Sequence, residues 1–127
     1  MEDRIRFIEH KGKHILLIDL CNLSSEELVI LGRLVPSYLA TQAKGSVLLL
    51  ADFSGSKFDK AALEVMKQTA VYDRPHLKKS AWVGTESIPK VFYDNVKAFS
   101  QRDLPTFKTR EEALDWLVLD EPASAAS

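Results

Sequence analysis

The chain has 127 residues, and its 46% hydrophobic and 28% charged residues are typical of a folded protein. Its 17 basic and 18 acidic residues give a net charge of -1, which lacks the positive field that non-specific nucleic-acid binding requires. The single cysteine excludes an intramolecular disulfide and a cysteine-rich metal site, and it favours the reducing cytoplasm.

The amino-terminal segment predicts a β-hairpin. Residues 4–10 alternate apolar and charged side chains, as a half-buried strand does, and residues 14–20 are apolar on both faces, as an interior strand is. Because the chain enters this pattern directly, we expect no signal peptide. Its longest apolar runs also fall short of the ~20 residues of a membrane-spanning helix, so no integral membrane association is expected.

A first helix is predicted after the hairpin. Ser24 and Glu27 have the spacing of a capping box, and the helical pattern then runs on towards Gln42. Pro36 lies inside this pattern and removes one backbone hydrogen bond, so a kink or a new first turn is expected there. Residues 46–52 follow as a second interior strand.

The second half of the chain alternates helices with short strands. A helix is predicted from Phe58 or Asp59, a strand at residues 80–84, a third helix around residues 88–99 and a weak strand at residues 105–107. The final helix has the spacing of a second capping box, formed by Thr109 and Glu112.

This order of elements predicts an α/β domain with a mixed sheet. Strands that alternate with helices build a mostly parallel sheet covered by helices, whereas the opening hairpin makes its two strands antiparallel. Residues 1–119 are predicted to form this single domain. Residues 120–127 are rich in Asp, Glu, Pro, Ala and Ser, and are predicted to be a disordered tail.

Residues 4–7 with 15–19, residues 46–55 and residues 109–117 together carry a family resemblance. They resemble the STAS superfamily of anti-sigma factor antagonist domains and SEC14-like lipid carriers, and most of all its small, stand-alone bacterial members. The resemblance implies a STAS-like mixed sheet. Because these motifs specify packing and helix caps more than chemistry, it implies an activity only weakly.

In antagonist members of that family, a strand ends in Asp-Ser-Ser-Gly or a variant, and a partner kinase phosphorylates the first serine. The resemblance aligns this motif with Asp52, Phe53, Ser54 and Gly55, which places Phe53 where the phosphorylated serine would be. Ser54 or its neighbour Ser56 could accept phosphate near a helix start, or both could simply satisfy backbone groups in a tight loop.

Acidic residues end two predicted interior strands. Asp19 and Asp52 therefore fall where open α/β sheets place their ligand crevice, and Thr85 and Lys108 follow later strands. An acid, a hydroxyl and a lysine would suit a receiver-like phosphoacceptor with Mg²⁺. The opening hairpin, and Leu20 in place of a second acid, favour capping and loop hydrogen bonds instead.

Cys21 has the residue type of a nucleophile, and His10, His14 and His76 have that of a base. No catalytic signature accompanies the cysteine, and its apolar and capping neighbours indicate a packed thiol. The sequence also lacks a glycine-rich phosphate loop, a zinc-ligand spacing and a Gly-x-Ser-x-Gly elbow. We therefore predict no enzymatic activity, no cofactor and no metal site.

One local concentration of basic residues stands out. It comprises Arg74, His76, Lys78 and Lys79. Such a cluster could contact an acidic protein surface, a phosphate or anionic lipid headgroups, with Arg74, Lys78 and Lys79 as the anion contacts. The alternative is a solvated loop.

The leading functional hypothesis is a non-enzymatic module that docks a cytoplasmic protein through the loop of residues 52–57 and the helix that follows. The alternative is a carrier of a small apolar or lipid-like ligand, which would need an internal cavity of about several hundred Å³. A receiver-like phosphoacceptor ranks third. A homodimer paired through the opening edge strand is a further expectation, unless the charges of that strand protect it.

Overall fold

The computed structural model describes residues 2–119, and the predicted disordered tail lies outside this range. The protein is an α/β domain with five strands and four helices of at least eight residues in the described part. The strands are β1 (Ile5–His10), β2 (Lys13–Asp19), β3 (Val47–Asp52), β4 (Leu77–Val83) and β5 (Thr106–Phe107). The helices are α1 (Ser25–Leu39), α2 (Lys60–Asp73), α3 (Lys90–Ser100) and α4 (Arg110–Leu117).

The strands form one sheet in the order β1-β2-β3-β4-β5. β1 pairs antiparallel with β2, and every later pairing is parallel, which confirms the predicted mixed sheet. Lys11 and Gly12 join the hairpin in the left-handed backbone region that a tight turn of this kind needs. β1 is an outer edge of the sheet, and Arg6, Phe7 and Glu9 are exposed on it.

The sheet separates two cores of unequal size. Leu16, Leu49 and Trp82 face the larger core, which α1, α2 and α3 cover. Ile15 and Leu50 face the smaller core, which α4 covers in the described part of the chain. Successive residues of β2 and β3 alternate between the two cores, and this explains why both strands are apolar throughout.

Helix α1 begins with the predicted capping box and ends earlier than predicted. The Ser24 hydroxyl accepts a hydrogen bond from the Glu27 amide, and the Glu27 carboxylate accepts one from the Ser24 amide. The helix continues through Pro36, so no new first turn forms there. It ends at Leu39 and not at Gln42, because the Gln42 amide closes a tighter turn on the Leu39 carbonyl, 2.9 Å away.

The prediction of a full capping box on α4 was wrong. The Thr109 hydroxyl accepts from the Glu112 amide, 3.2 Å away, as predicted. However, the Glu112 carboxylate accepts from the Thr109 hydroxyl and not from its backbone amide, so only half of the box forms.

Helix α2 begins at Lys60 because the Asp59 carboxylate caps it by accepting from the Ala62 amide.

Strand β4 starts at Leu77, three residues earlier than predicted, because a short 3₁₀ turn (Arg74–His76) leads from α2 directly into it. Gly84 lies just beyond the strand, in the left-handed region at φ 70°.

Within residues 2–119, no helix is long and apolar enough to cross a membrane.

Candidate functional site

The carboxyl ends of β2 and β3 bring two acidic side chains together. The parallel register sets Asp19 directly opposite Asp52, at the edge of the sheet where the sequence placed both acids. Asp52 is buried, with 4% of its surface exposed, whereas Asp19 is half-buried. Two adjacent carboxylates at one sheet edge require cations or hydrogen-bond donors to remain ionised.

Two arginines from distant parts of the chain supply that charge. Arg110, the first residue of α4, donates from Nε to Asp52 Oδ2 at 2.6 Å, and its Nη2 lies 3.1 Å from Asp19 Oδ1. Arg4, just before β1, donates from Nη1 to the Cys21 carbonyl at 2.9 Å and lies 3.8 Å from Asp19 Oδ1. The edge is therefore a compact cluster of two carboxylates and two guanidinium groups.

Hydrogen bonds keep both carboxylates ionised. Burial alone would raise the pKa of Asp52, but the Ser54 hydroxyl and amide, at 2.7 and 3.0 Å, and Arg110 hold that pKa below its ordinary value. Burial likewise opposes ionisation of Asp19, and the Cys21 amide, 3.1 Å away, and Arg110 bring its pKa below the ordinary value. Neither acid is set up to hold a proton at neutral pH.

The thiol at this edge is not activated. Burial and the hydrogen bond with Asp19 together raise the pKa of Cys21 to about 11, and the nearby Arg110 only partly opposes them. At neutral pH the side chain is therefore a thiol and not a thiolate, and a thiol is a poor nucleophile. The packed thiol that the sequence indicates agrees with this environment.

The three candidate bases lie away from Cys21. His10 Nε2 is 2.8 Å from Asp115 Oδ1 of α4, and His76 Nδ1 is 3.0 Å from the Gln42 carbonyl. His14 lies opposite Glu9 in the hairpin, near its turn, at the end remote from Asp19. The cysteine and the histidines therefore do not assemble into a nucleophile and base.

The loop after β3 buries two of its predicted site residues. Phe53 is 3% exposed, and its ring centroid lies 4.8 Å from that of Trp82. Ser56 is 5% exposed, and its hydroxyl donates to the Phe53 carbonyl at 2.6 Å. Ser54 is half-buried, whereas Gly55 and Lys57 are exposed, so these three residues form the accessible part of the loop.

Three left-handed residues from separate loops fix the position of this segment. Asn22, Gly55 and Gly84 have φ values of 59°, 71° and 70°. A Cβ atom on Gly55 would collide with the Asn22 side chain, and one on Gly84 would collide with the Ser54 backbone. Since the Asn22 amide also donates to the Ser54 carbonyl at 2.8 Å, the loop is held in one conformation.

The residues of the receiver-like hypothesis are only partly brought together. Thr85 starts a short 3₁₀ turn after β4, and Lys108 is exposed after β5. Arg110, and not Lys108, is the cation that contacts both acids. In the described part of the chain, no three His, Cys, Asp or Glu side chains are grouped in a way that could hold a metal ion.

The predicted anion contacts lie elsewhere, along the beginning of β4. Arg74, Lys78 and Lys79 line one surface groove of about 270 Å³. Lys78 is exposed, Arg74 donates to Gln101 Oε1 at 3.5 Å, and Lys79 donates to the Trp116 carbonyl at 2.8 Å. The sequence cluster is therefore a spatial cluster too, but it is separate from the acidic edge.

A small, partly open cavity lies between the sheet and helices α1 and α2. Its volume is about 70 Å³, and apolar side chains line most of it. Asp73 and Arg102 also line it. Asp73 is 4% exposed, and its Oδ1 has no hydrogen-bond partner among the described residues. Burial raises the pKa of Asp73 to about 7, although Arg102 opposes this shift.

Sequence reasoning missed Arg110 and Arg4. Arg110 is 58 residues from Asp52 along the chain, and no local periodicity links them. One local signal was present: a helix N-terminus favours acidic residues, so an arginine at the first position of α4 is there against the helix dipole. Such a residue indicates a contact outside its own helix.

No protein-family model, curated protein or solved structure matches this chain. Its function is therefore inferred from the site's own geometry and charge.

Proposed function

We propose that this protein is a non-enzymatic, STAS-like regulatory module that docks a cytoplasmic protein partner. The partner contacts the docking face, defined as Ser54, Gly55 and Lys57 of the loop after β3 together with the outer face of α2. The observation that carries the proposal is the rigid presentation of that loop next to a helix whose outer face is exposed. A preorganised surface binds with less loss of conformational entropy than a mobile one.

The outer face of α2 supports the proposal. Five exposed residues lie on one side of this helix at helical spacing: Ala61, Glu64, Gln68, Val71 and Tyr72. Val71 and Tyr72 are 43% and 55% exposed, and Phe99 on the adjacent α3 is also 55% exposed. Several large apolar side chains exposed on one helical layer are typical of a protein-interaction surface.

The chemistry of the acidic edge favours docking over a phosphoacceptor or nucleophile role. Asp52 is the residue that a receiver-like reaction would phosphorylate. Its carboxylate already accepts hydrogen bonds from Arg110 and Ser54. Cys21 is protonated at neutral pH because burial raises its pKa to about 11. These contacts instead fix the base of the loop, which is what a docking role requires.

The small volume of the cavity between the sheet and helices α1 and α2 favours docking over ligand transport. A carrier of a lipid-like ligand needs about several hundred Å³. The cavity beneath α1 and α2 has about 70 Å³, less than half of the ~150 Å³ that holds one benzene molecule in an engineered protein cavity.

Ser54 is the serine whose modification would alter docking. It is more accessible than Ser56, and its hydroxyl donates to Asp52. A phosphate on Ser54 would remove that donor, place negative charge beside Asp52 and compete for Arg110. Phosphorylation would therefore loosen the loop and weaken binding of the partner.

Site-specific photo-crosslinking in native lysate tests the proposal. A photoreactive amino acid at position 57 or 68 should cross-link the same partner, whereas the same amino acid at position 33, exposed on α1, should not. With the identified partner, Tyr72→Glu should weaken binding, because Tyr72 lies on the docking face. Ile30→Glu is the matched control: Ile30 is also an exposed apolar residue, 52% exposed, but it lies on α1 outside the docking face, so binding should not change. Equal cross-linking from all three positions, or from none, would refute the docking face.

A further inference from the structure

Only the end of β4 is paired on its outer side. β5 pairs with Trp82 and Val83, so residues 77–80 have no neighbouring strand on that side within residues 2–119. The Trp82 amide points outwards, since it donates to the Pro105 carbonyl at 2.9 Å. Backbone groups alternate along a strand, so the amide and carbonyl of Ser80 face the same outer edge. Ser80 is only 7% exposed, but no strand pairs with it on that side among the described residues. Residues 77–80 are therefore an open edge that can accept one more strand.

The basic groove of about 270 Å³ runs along this open edge, and fixed side chains form its walls. On one side, Arg102 Nη2 donates to the Ser80 hydroxyl at 3.0 Å. On the other side, Lys79 Nζ donates to the Trp116 carbonyl at 2.8 Å and lies 4.1 Å from the Trp116 ring centroid. The groove is therefore present before any partner arrives.

The groove is positive although the whole chain has a net charge of -1. Four cationic side chains and one carboxylate line it: Arg74, Lys78, Lys79, Arg102 and Asp103. Arg74 and Lys78 are exposed at the groove, whereas Arg102 is buried. An occupant that complements this surface carries negative charge.

We propose that the basic groove binds an acidic segment of a partner protein in extended conformation, which adds a strand to the open edge of β4. The open edge supplies backbone donors and acceptors, and the cations supply charge complementarity. A nucleic acid would satisfy the charge but has no peptide backbone to pair with the edge. The groove does not include any residue of the docking face, so this inference stands independently of the proposed function.

Residues 120–127 of this chain are the competing occupant. They follow Leu119, whose carbonyl lies 3.5 Å from Lys79 Nζ, and they begin with Asp120 and Glu121. However, Pro122 cannot donate to a strand ladder, and no acid follows Glu121 in this segment. A partner segment with alternating acids matches the groove better.

A peptide-binding experiment on the full chain tests the inference. The probe is an eight-residue fluorescent peptide in which glutamate alternates with valine, and anisotropy reports binding. Lys78→Glu should weaken binding about tenfold, because it reverses a charge at the groove. Arg33→Glu, a charge reversal at an exposed position on α1, is the matched control and should leave binding unchanged. Tyr72→Glu should also leave it unchanged, which separates this surface from the docking face.

Two further readouts test strand addition itself. A version of the peptide methylated on every backbone amide keeps its charge but cannot donate a hydrogen bond from either edge, so it should not bind. In NMR spectra of the full chain, the unmodified peptide should shift the Ser80 amide and slow its hydrogen exchange.

Three results would overturn the inference. Equal binding of the methylated peptide would show that charge alone acts. Shifts at Phe7 on β1 in place of Ser80 would place the added strand at the other edge of the sheet. Absence of binding, with the Ser80 amide already protected through contacts with residues 120–127, would show that the chain fills its own groove.

Discussion

Arg110 is the residue on which the acidic edge depends most. It contacts Asp52, Asp19 and the Cys21 sulfur. Arg110→Ala would leave the Asp52 carboxylate, 6% exposed, without its main counter-charge. We expect a loss of about 2 kcal/mol in the free energy of unfolding at pH 7, less than for a fully buried pair because the guanidinium is 35% exposed. Urea denaturation measures this loss.

The pH dependence of that loss follows from Asp52. Its pKa in the folded protein lies below the ordinary 3.8, so the pair stabilises the fold above that pH and ceases to do so as the pH falls through the lowered pKa. The difference between wild type and Arg110→Ala should therefore shrink at acid pH. Arg33→Ala, an exposed arginine on α1, should have almost no effect. A difference that stayed constant down to about pH 2 would show that Arg110 acts through packing and not through charge.

Asp73 should impose a second, opposite pH dependence on stability. Its pKa rises from 3.8 to about 7 on folding, so the folded state retains a proton that the unfolded state has lost between these values. Stability should therefore fall as the pH rises from about 4 to about 7, by at most about 1.4 kcal/mol per pH unit, and level off above that.

Asp73→Asn should abolish this decline in stability between about pH 4 and pH 7. Asp103→Asn, at an exposed carboxylate, should keep it. Thermal or urea unfolding across this pH range measures both variants. If Asp73→Asn lost stability with rising pH as steeply as wild type, another group would be responsible.

The sequence predicted where the two acids lie but not which residues contact them. Asp19 and Asp52 were predictable because each ends an apolar run, and parallel neighbours end at the same edge. Their contacts with Arg110 depend on how α4 crosses the sheet, which no local pattern records. The buried Asp73 was also not predictable, because nothing in its neighbourhood in the sequence distinguishes it from an exposed helix-terminal acid.

Among the elements, α1 should depend measurably on its capping box. Ser24→Ala removes the acceptor for the Glu27 amide and should cost about 1 kcal/mol. Ser37→Ala is the matched control, since Ser37 is exposed on the same helix and its hydroxyl donates only to the Leu34 carbonyl. Chemical denaturation compares the two variants, and an equal cost for both would contradict a specific role for the cap.

The contact between the loops after β3 and β4 should be the least tolerant of an added methyl group. Gly84 and Gly12 both have left-handed backbones, at φ 70° and 82°. A Cβ at Gly12 would meet open space, so Gly12→Ala should cost only the backbone strain of about 1 kcal/mol. Gly84→Ala adds a collision with the Ser54 backbone and should cost clearly more.

NMR chemical shifts provide the second readout for these two glycines. Gly84→Ala should move the amides of residues 53–56, whereas Gly12→Ala should move those of the hairpin turn. Equal stability losses for the two variants, with the amides of residues 53–56 unmoved in Gly84→Ala, would show that the added methyl group does not collide with Ser54.

Sequence patterns identified the elements better than their ends. β2 and β3 were readable because both of their faces are buried. The beginning of β4 was missed because Lys78 and Lys79 do not look like strand residues. Lys79 can occupy a strand because its aliphatic side chain packs along Trp116 of α4. Lys78 can occupy a strand because this part of β4 is an unpaired edge of the sheet.

For the whole molecule, the unequal cores predict unequal local stability. The larger core contains 19 buried hydrophobic residues and the smaller core 8, among the described residues. α4 has 8 residues and β5 has 2, so both can open without exposing the larger core. Native-state hydrogen exchange should show α4 and β5 amides exchanging at lower free energy than those of α1. If α4 exchanged only by global unfolding, the two sides would form one cooperative unit.

The dependence of Asp19 and Asp52 on Arg110 also has a consequence for synthesis on the ribosome. The chain emerges from its amino terminus, so β1, β2, β3 and α2 are available long before residue 110. Until then, Arg4 is the only guanidinium of this cluster in the nascent chain, and its carboxylate contact is with Asp19 alone. The acidic edge and the loop above it therefore reach their final arrangement only after α4 has emerged, so a nascent chain forms β1, β2 and β3 before its binding surface is complete.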